Sequence, residues 1–366
     1  MKHQKILLLS GGSQVAQFIL QALAGRRENL SVLATNSIAD DPGLWQFDSV
    51  HLVPQTLKDP VGYETKLAEL FEREVIDLAI PCRDDDIVGL ARFVEKFPQY
   101  ASRAICGPSS LAIMMSDKLE SYRFANSVGL PFAESFDPNG HESAGDFAAR
   151  VGYPLIAKPR DGFSSKGVMF VDNQNQLERA LSRPNYVLEE YLGDPRAYAD
   201  MKRSMLDDGI PLYLSMHGIK HSIELMFDGN SRPASDVFAT YNRPAFRARF
   251  VTPNREAATI ALGERCYRVF SAHGWRGPLN VQCQLDRNGV VKIHEFNGRY
   301  GALAAERWML GFDEVALGLK LFAGIELPPT RWETDPANHV SAQLSSRGAH
   351  PRDVAQLAQS GAWAHP

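Results

Sequence analysis

Gln282, Glu295 and Asn297 carry the side chains of a magnesium and phosphate site, because they combine one carboxylate with two amides. Residues 279–285 and 290–296 alternate apolar and polar positions across a short turn, which predicts two paired strands. Alternation on such strands can aim the three side chains at one point. A half-exposed hairpin with a polar outer face is the competing interpretation, and the pattern alone leaves it open.

A second group with chemical potential begins at an apolar strand that ends in Lys158. A loop bounded by glycines follows, and its candidate ligand contacts are Gly162, Ser164, Ser165 and Gly167. Backbone N–H groups of such a loop can fold over phosphate oxygens, while Lys158 supplies positive charge. The order of residues is not that of a Walker A loop. A plain hairpin turn remains the alternative.

The stretch from Tyr186 to Leu192 predicts a strand that ends in two carboxylates, Glu189 and Glu190. An extended strand of this kind can offer backbone groups to the edge of a purine, and Leu192 or Tyr191 can pack on the ring. The alternative is that the two glutamates keep an edge strand soluble.

Strands and helices alternate through residues 1–107, with strands at 6–9, 30–34 and 78–81, which predicts a parallel sheet covered on both faces. Two short helices are expected over 109–128. The later part is rich in strands expected to pair antiparallel, around a helix over 256–273. After Pro328 the composition predicts a loosely packed tail with one short helix at 353–359.

The composition of the 366 residues is that of a soluble globular protein with a net charge of -4. That charge argues against nucleic acid and anionic membranes as partners. The four cysteines are far apart and predict buried thiols rather than disulfides or a metal site. The first apolar run is too short for a signal peptide, and no segment approaches the length of a membrane helix, so we expect a cytoplasmic protein.

The order of these motifs resembles the ATP-grasp superfamily, on the branch that includes the ATP-binding halves of carbamoyl phosphate synthetase and the carboxylate-amine ligases. The resemblance covers residues 1–326. It implies an α/β and α+β multidomain protein: a Rossmann-like pre-ATP-grasp domain (1–107), then an ATP-grasp domain of two α+β lobes (108–326) and a C-terminal tail (327–366). The smaller lobe is expected at 130–190, with an insert at 193–221.

The resemblance also implies roles for individual residues. Lys118 and Lys158 match lysines that contact ATP phosphates, and residues 162–167 look like the family's glycine-rich lid. Glu189 and Leu192 match the adenine contacts. Gln282, Glu295 and Asn297 match the ligands of Mg²⁺, or of Mn²⁺ in its place, and Arg299 matches the arginine that steadies the transferred phosphate.

The activity implied is a carboxylate-amine ligase that forms an acyl phosphate from ATP and transfers the acyl group to an amine, releasing ADP and phosphate. Its partners would be small-molecule carboxylates and amines, and family resemblance suggests a homodimer.

Two positions depart from the family pattern. Lys220 stands where the family has its first acidic residue, which leaves the ribose contact unassigned. Gly298 stands between Asn297 and Arg299, where proline is usual, and glycine there is expected to lose rigidity.

The acceptor site is predicted from Arg243, Arg247 and Arg249, whose even spacing would put them on one face of a single strand. Such a row could bind a substrate carboxylate, with Arg243 and Arg249 as the stronger candidates and Arg307 as a further one. A solvated face explains the row equally well.

Three other functions are alternatives to the ligase. Residues 10–16 lack the G-x-G-x-x-G spacing of a nicotinamide site, and residues 162–167 miss the G-x-S-x-G elbow of a serine hydrolase. The remaining alternative to a ligase is a nucleotide-binding sensor or assembly module that retains the fold without catalysis. A complete set of metal and phosphate residues argues against it, namely Lys118, Lys158, Gln282, Glu295, Asn297 and Arg299.

Overall fold

The computed structural model describes residues 3–162, 166–209, 219–245, 248–330, 337–342 and 349–365, with the backbone alone at 244–245, 248–249 and 342. The strands are β1 Gln4–Leu8, β2 Leu30–Asn36, β3 Ser49–Leu52, β4 Leu78–Ile80, β5 Leu155–Pro159, β6 Met169–Val171, β7 Tyr186–Glu190, β8 Lys220–Phe227, β9 Phe238–Ala245, β10 Ala248–Pro253, β11 Gly277–Leu285, β12 Val291–Asn297, β13 Val340–Ala342 and β14 Ala362–Ala364.

The helices have the following bounds: α1 Gln14–Ala22, α2 Pro60–Arg73, α3 Asp84–Lys96, α4 Ser109–Ser116, α5 Lys118–Ser127, α6 Ala144–Val151, α7 Gln174–Leu181, α8 Pro195–Asp207, α9 Ala257–Ala272, α10 Ala304–Met309, α11 Glu314–Ala323 and α12 Pro351–Ser360. None of the helices in the described part of the chain has the length and apolar character needed to cross a membrane.

The first sheet has the strand order β14-β3-β2-β1-β4. The strands β1 to β4 pair in parallel, as the alternation of strands and helices predicted. The apolar run Ile6, Leu7 and Leu8 is fully buried because helices cover both faces of a sheet built this way. α1 begins where the Ser13 hydroxyl accepts a hydrogen bond from the Ala16 N–H. The finer assignment of a Rossmann-like domain stays a prediction.

Two further sheets follow. The larger has the order β12-β11-β8-β9-β10-β13, and its described pairs are all antiparallel, as predicted. The smaller, β6-β5-β7, is also antiparallel. Mixed α and β elements around several sheets therefore confirm the coarse fold class.

The proposed boundary at residue 107 is crossed by a continuous core. Cys106, Leu111, Ile223 and Phe296 belong to the same cluster of buried side chains. Fully buried Trp275 packs where this segment begins, because a Cβ added to Gly107 would lie 2.5 Å from its ring. The division into domains at this point remains a prediction.

The end of the chain differs from the expected loose tail. The predicted short helix is α12, and β14 then pairs antiparallel with β3, so the chain returns to the edge of the first sheet. Leu357 and Trp363 are buried there, and Trp363 meets Trp45 edge to face at a ring-centroid distance of 5.2 Å. The Pro, Gly and Ala content that suggested looseness did not reveal these two apolar anchors.

Candidate nucleotide and metal site

A cleft lies between the smaller sheet and one end of the larger sheet. Eight of the predicted site residues contribute to its lining: Lys118, Lys158, Gly162, Glu189, Glu190, Leu192, Gln282 and Glu295. Residues more than 160 positions apart in the sequence therefore meet around one cavity.

Lys158 and Glu189 form a buried ion pair in this cleft. Lys158 Nζ lies 2.6 Å from Glu189 Oε2 and also donates a hydrogen bond to the His294 carbonyl oxygen at 3.2 Å. Burial raises the pKa of the Glu189 carboxyl, although the lysine opposes the shift. The other oxygen, Oε1, is buried without a hydrogen-bond partner in the described structure. It is an acceptor available to a donor group on a ligand.

Glu190 has a structural role and also lines the cleft. Its Oε1 accepts hydrogen bonds from Lys292 Nζ at 2.6 Å and from the Glu134 N–H at 2.8 Å. The residue is buried, so the interpretation of Glu190 as a solubility device on an edge strand is wrong. Leu192 is also buried and belongs to the main apolar core, which places an apolar wall beside the two carboxylates.

Lys118 stands at the start of α5, and its Nζ donates a hydrogen bond to the Gly162 carbonyl oxygen at 2.9 Å. The preceding residue, Asp117, caps α5 by accepting hydrogen bonds from its first N–H groups. Asp117 also holds Arg160 at 2.6 Å. The helix start and the base of the glycine-containing loop are thus tied together, with Lys118 facing the cleft.

The loop itself is described only at its two ends. Ser164 and Ser165 lie outside the described residues. Gly167 has a φ of +79°, in the left-handed region that favours glycine, and its carbonyl accepts a hydrogen bond from the Tyr186 hydroxyl at 3.0 Å. This contact anchors the loop to β7.

Gln282 and Glu295 face each other across the β11–β12 ladder, and Asn280 faces Asn297 one step along the same face. Neither Gln282 nor Glu295 forms a hydrogen bond or ion pair with another described side chain, yet both line the cleft. A carboxylate and an amide without side-chain partners, beside two lysines, fit a shared Mg²⁺–phosphate site. Mg²⁺ binds few protein oxygens, and phosphates and water supply its other ligands.

Asn297 is buried beneath the cleft and is held from both sides. Its Nδ2 donates to Asn280 Oδ1 at 3.4 Å, and its Oδ1 accepts from Arg299 Nη2 at 2.8 Å. A carbonyl oxygen has a second lone pair, so Asn297 Oδ1 retains capacity for a cation. Burial alone would lower the pKa of the Arg299 guanidinium, but the Asp84 and Glu295 carboxylates raise it above its ordinary value.

The three arginines proposed for the acceptor do not share a strand. β9 ends at Ala245 and β10 begins at Ala248, and the two strands pair antiparallel, so Arg243 and Arg249 lie on different strands. The even spacing predicts a shared face only within one continuous strand. Because the chain reverses direction between β9 and β10, Arg243 and Arg249 do not share a face. Arg243 is exposed and lines a separate cavity with Tyr241 and Glu256 rather than the cleft. Arg247 and the side chain of Arg249 lie outside the described residues.

Arg307 is excluded as a substrate contact by its surroundings. It is fully buried, its Nη1 lies 3.0 Å from Glu224 Oε1, and its Nε donates to Glu314 Oε1 at 2.8 Å. A third contact goes from Nη2 to the Gly301 carbonyl oxygen at 3.2 Å. The guanidinium is a structural centre below the site.

The sequence interpretation missed Lys166, Gln284 and His294 as residues of the cleft. Lys220, noted above only as a departure from the family pattern, also lines it. Gln284 could have been found, because it follows Gln282 by two positions on β11 and faces the same side. Asn280 and Glu224, which are joined by a hydrogen bond beneath Asn297, were also missed. A buried glutamate inside an apolar strand was the signal for that support.

Residues 117–201 match the family model described as the carbamoyl-phosphate synthase L chain, ATP binding domain. The chain is 27% identical over 211 residues to pyruvate carboxylase of Staphylococcus aureus, covering 55% of this chain. It is 23% identical over 269 residues to the arginine-specific carbamoyl phosphate synthase large chain of Bacillus subtilis, covering 71% of this chain.

Among solved structures, N5-carboxyaminoimidazole synthetase from Staphylococcus aureus complexed with ADP superposes with a TM-score of 0.64 at 15% identity, covering 90% of this chain and 79% of that one. At that identity the likeness concerns the fold. Together the matches confirm the resemblance to the ATP-grasp superfamily, on its carbamoyl phosphate synthetase-like and carboxylate-amine ligase branch. The chain spans 18% of the length of the pyruvate carboxylase and 24% of that of the synthase.

Proposed function

We propose that the protein is an ATP-dependent ligase that activates a small carboxylate as an acyl phosphate and transfers the acyl group to an amine, with release of ADP and phosphate. The observation that carries the proposal is the uncommitted Glu295 carboxylate, opposite Gln282 and in the same cleft as Lys118 and Lys158. A carboxylate exposed to two lysines but paired with neither suits a site that binds a cation and phosphates together.

The charges in the cleft support this reaction, which has two steps. An oxygen of the substrate carboxylate attacks the γ-phosphorus, the bond to the β,γ-bridging oxygen breaks, and ADP leaves. The amine nitrogen then attacks the acyl carbon, loses a proton, and expels phosphate. Because phosphoryl transfer needs mainly positioning and charge neutralisation, Lys118, Lys158 and Arg299 are assigned to the phosphate oxygens.

The adenine and Mg²⁺ contacts are assigned to oxygens that can still accept a ligand. Glu189 Oε1 would accept a hydrogen bond from an adenine amino group, with Leu192 against the ring. Glu295, Gln282 and Asn297 would hold Mg²⁺, which supplies positive charge to the phosphate oxygens when bound. The lid role of residues 162–167, the small-molecule substrates and the homodimer remain predictions.

The test is ADP and phosphate release by the purified protein with Mg²⁺ and ATP, measured against pools of amino acids, other small carboxylates and amines. Release that depends on one pool supports the ligase, and the mass of the product then identifies both substrates. Tight ATP binding with no release in any pool would instead favour a non-catalytic nucleotide-binding module. Absence of nucleotide binding would refute both.

A further inference from the structure

Arg299, assigned above to the phosphate oxygens, is contacted by a side chain from the region of the first sheet. Asp84, the first residue of α3, approaches Arg299 with both carboxylate oxygens: Oδ1 lies 3.0 Å from Nε, and Oδ2 lies 3.4 Å from Nη2. The two residues are 215 positions apart. This is a side-on ion pair that links α3 to the residue that follows β12.

Asp84 also has a purely structural explanation, because acidic residues in the first turn stabilise a helix. Asp84, Asp85 and Asp86 all occupy that turn in α3. Their partners differ, however. Asp85 pairs with Arg83 at 3.0 Å, and buried Asp86 accepts a hydrogen bond from the Ser10 hydroxyl at 2.9 Å. Of the three, Asp84 is the one that meets Arg299.

The hydrogen-bond inventory of Arg299 shows what this pairing does. A guanidinium has five N–H groups. One N–H of Nη2 donates to Asp84 Oδ2, the other donates to Asn297 Oδ1, and Nη1 donates to the Tyr300 carbonyl oxygen at 3.2 Å. Nε lies at ion-pair distance from Asp84 Oδ1 but has no hydrogen-bond partner among the described residues. The second N–H of Nη1 also has no partner in the described part of the chain and can address a ligand.

We propose that Asp84 is a positioning residue of the active site: its carboxylate fixes the Arg299 guanidinium so that one N–H addresses the terminal phosphate while another orients Asn297. The inference rests on the ligase function proposed above. It deepens that function by assigning a residue outside the ATP-grasp motifs to the same site. Loss of the carboxylate would leave a long, flexible side chain to sample several orientations, and phosphoryl transfer depends on orientation.

The experiment compares binding of ADP with binding of the β,γ-imido analogue of ATP, both with Mg²⁺, by calorimetry. Asp84→Asn removes the charge and keeps the shape. We expect it to weaken binding of the analogue about tenfold, the effect of one charge-assisted contact, while ADP binding changes by less than about twofold. Asp85→Asn is the matched control, because it changes the same helix turn without touching Arg299, and it should bind both nucleotides as the wild type does.

A double-mutant cycle separates positioning from a general structural effect. In an Arg299→Met background, Asp84→Asn should cause no further loss, because the residue acts through the arginine. Equal weakening of both nucleotides, or an undiminished effect in that background, would overturn the inference. Thermal unfolding without nucleotide identifies a variant that fails to fold, in which case Asp84→Glu repeats the comparison.

The outcomes also distinguish this inference from the function on which it rests. A wild-type protein that binds neither nucleotide would overturn both. A wild-type protein that prefers the analogue, together with an Asp84→Asn variant that keeps the same preference, would overturn the positioning role alone.

Discussion

Lys158 Nζ lies 2.6 Å from Glu189 Oε2, and both side chains are almost completely withdrawn from solvent. The two residues come from neighbouring strands, β5 and β7, at the bottom of the cleft. Such a pair adds little stability by itself, because desolvation of both charges offsets their attraction. Its value is to hold a cation at a fixed place while leaving Glu189 Oε1 available as an acceptor.

Removal of Lys158 should therefore destabilise the protein in a pH-dependent way. In Lys158→Met the buried Glu189 carboxylate loses its partner, so its pKa in the folded state rises further above its value in the unfolded chain. Such a group favours folding below its unfolded pKa, and the benefit is lost as the pH rises. Urea unfolding at pH 8 should show a loss of about 3–5 kcal/mol, and a smaller loss at pH 5.

The double variant Lys158→Met/Glu189→Gln is the control, since it removes the unpaired charge and should recover much of the stability at pH 8. An equal loss for Lys158→Met at both pH values would show that the pairing is not the source of the effect.

Glu295→Gln should separate activity from stability. Since Glu295 has no hydrogen bond or ion pair with another described side chain, its replacement should change the free energy of unfolding by less than about 0.5 kcal/mol. Loss of the carboxylate should lower ADP release by about 100-fold, because charge neutralisation at the phosphates is weakened. Glu326→Gln, which changes a surface carboxylate paired with Lys320, is the control. Full activity in Glu295→Gln would refute the metal assignment.

The part of this site that lies on strands could be predicted, because the alternation of polar and apolar residues shows which side chains share a face. Gln282 and Glu295 are on strands whose apolar residues define the buried face, and antiparallel pairing brings the two polar side chains opposite each other. The lysine that ends β5 and the carboxylates that end β7 follow the same logic. Local pattern and tertiary position agree at these residues.

The rest depends on contacts that no local pattern encodes. Asp84 looks like any acidic residue at a helix start until the first sheet is placed against β12. Arg243 and Arg249 look like one row until the antiparallel pairing of β9 and β10 separates them. Arg307 looks like a free cation until α11 brings Glu314 against it. In each case the missing information is the partner across a long interval of sequence.

Gly298 is needed for close packing, whereas the sequence predicted only a loss of rigidity at this position. A Cβ at this position would lie 2.4 Å from the buried ring of Trp275 and 2.7 Å from Met115, so glycine is required by space. Gly298→Ala should lower the free energy of unfolding by about 1–3 kcal/mol through overpacking, and should disturb the adjacent Arg299. Combination with Trp275→Leu should make the added methyl less costly than in the wild-type background. A neutral Gly298→Ala variant in chemical denaturation would contradict this account.

Two buried carboxylates, Glu224 and Glu314, share Arg307. Burial raises the pKa of Glu314 from 4.5 to about 8, although the guanidinium opposes the shift, and burial also raises the pKa of Glu224. The folded protein therefore holds a proton at Glu314 between these two pH values, where the unfolded chain does not, so this contribution to stability declines as the pH rises through that window.

Glu314→Gln imitates the protonated carboxyl and removes that titration. The difference in unfolding free energy between the variant and the wild type should therefore shift in favour of the variant by up to about 1.4 kcal/mol for each pH unit between pH 5.5 and 7.5. Denaturant unfolding at three pH values in that range measures it. The comparison cancels the other buried carboxyl groups, which titrate in both proteins. Parallel pH curves would mean that Glu314 is ionised throughout, and that Arg307 balances both carboxylates at neutral pH.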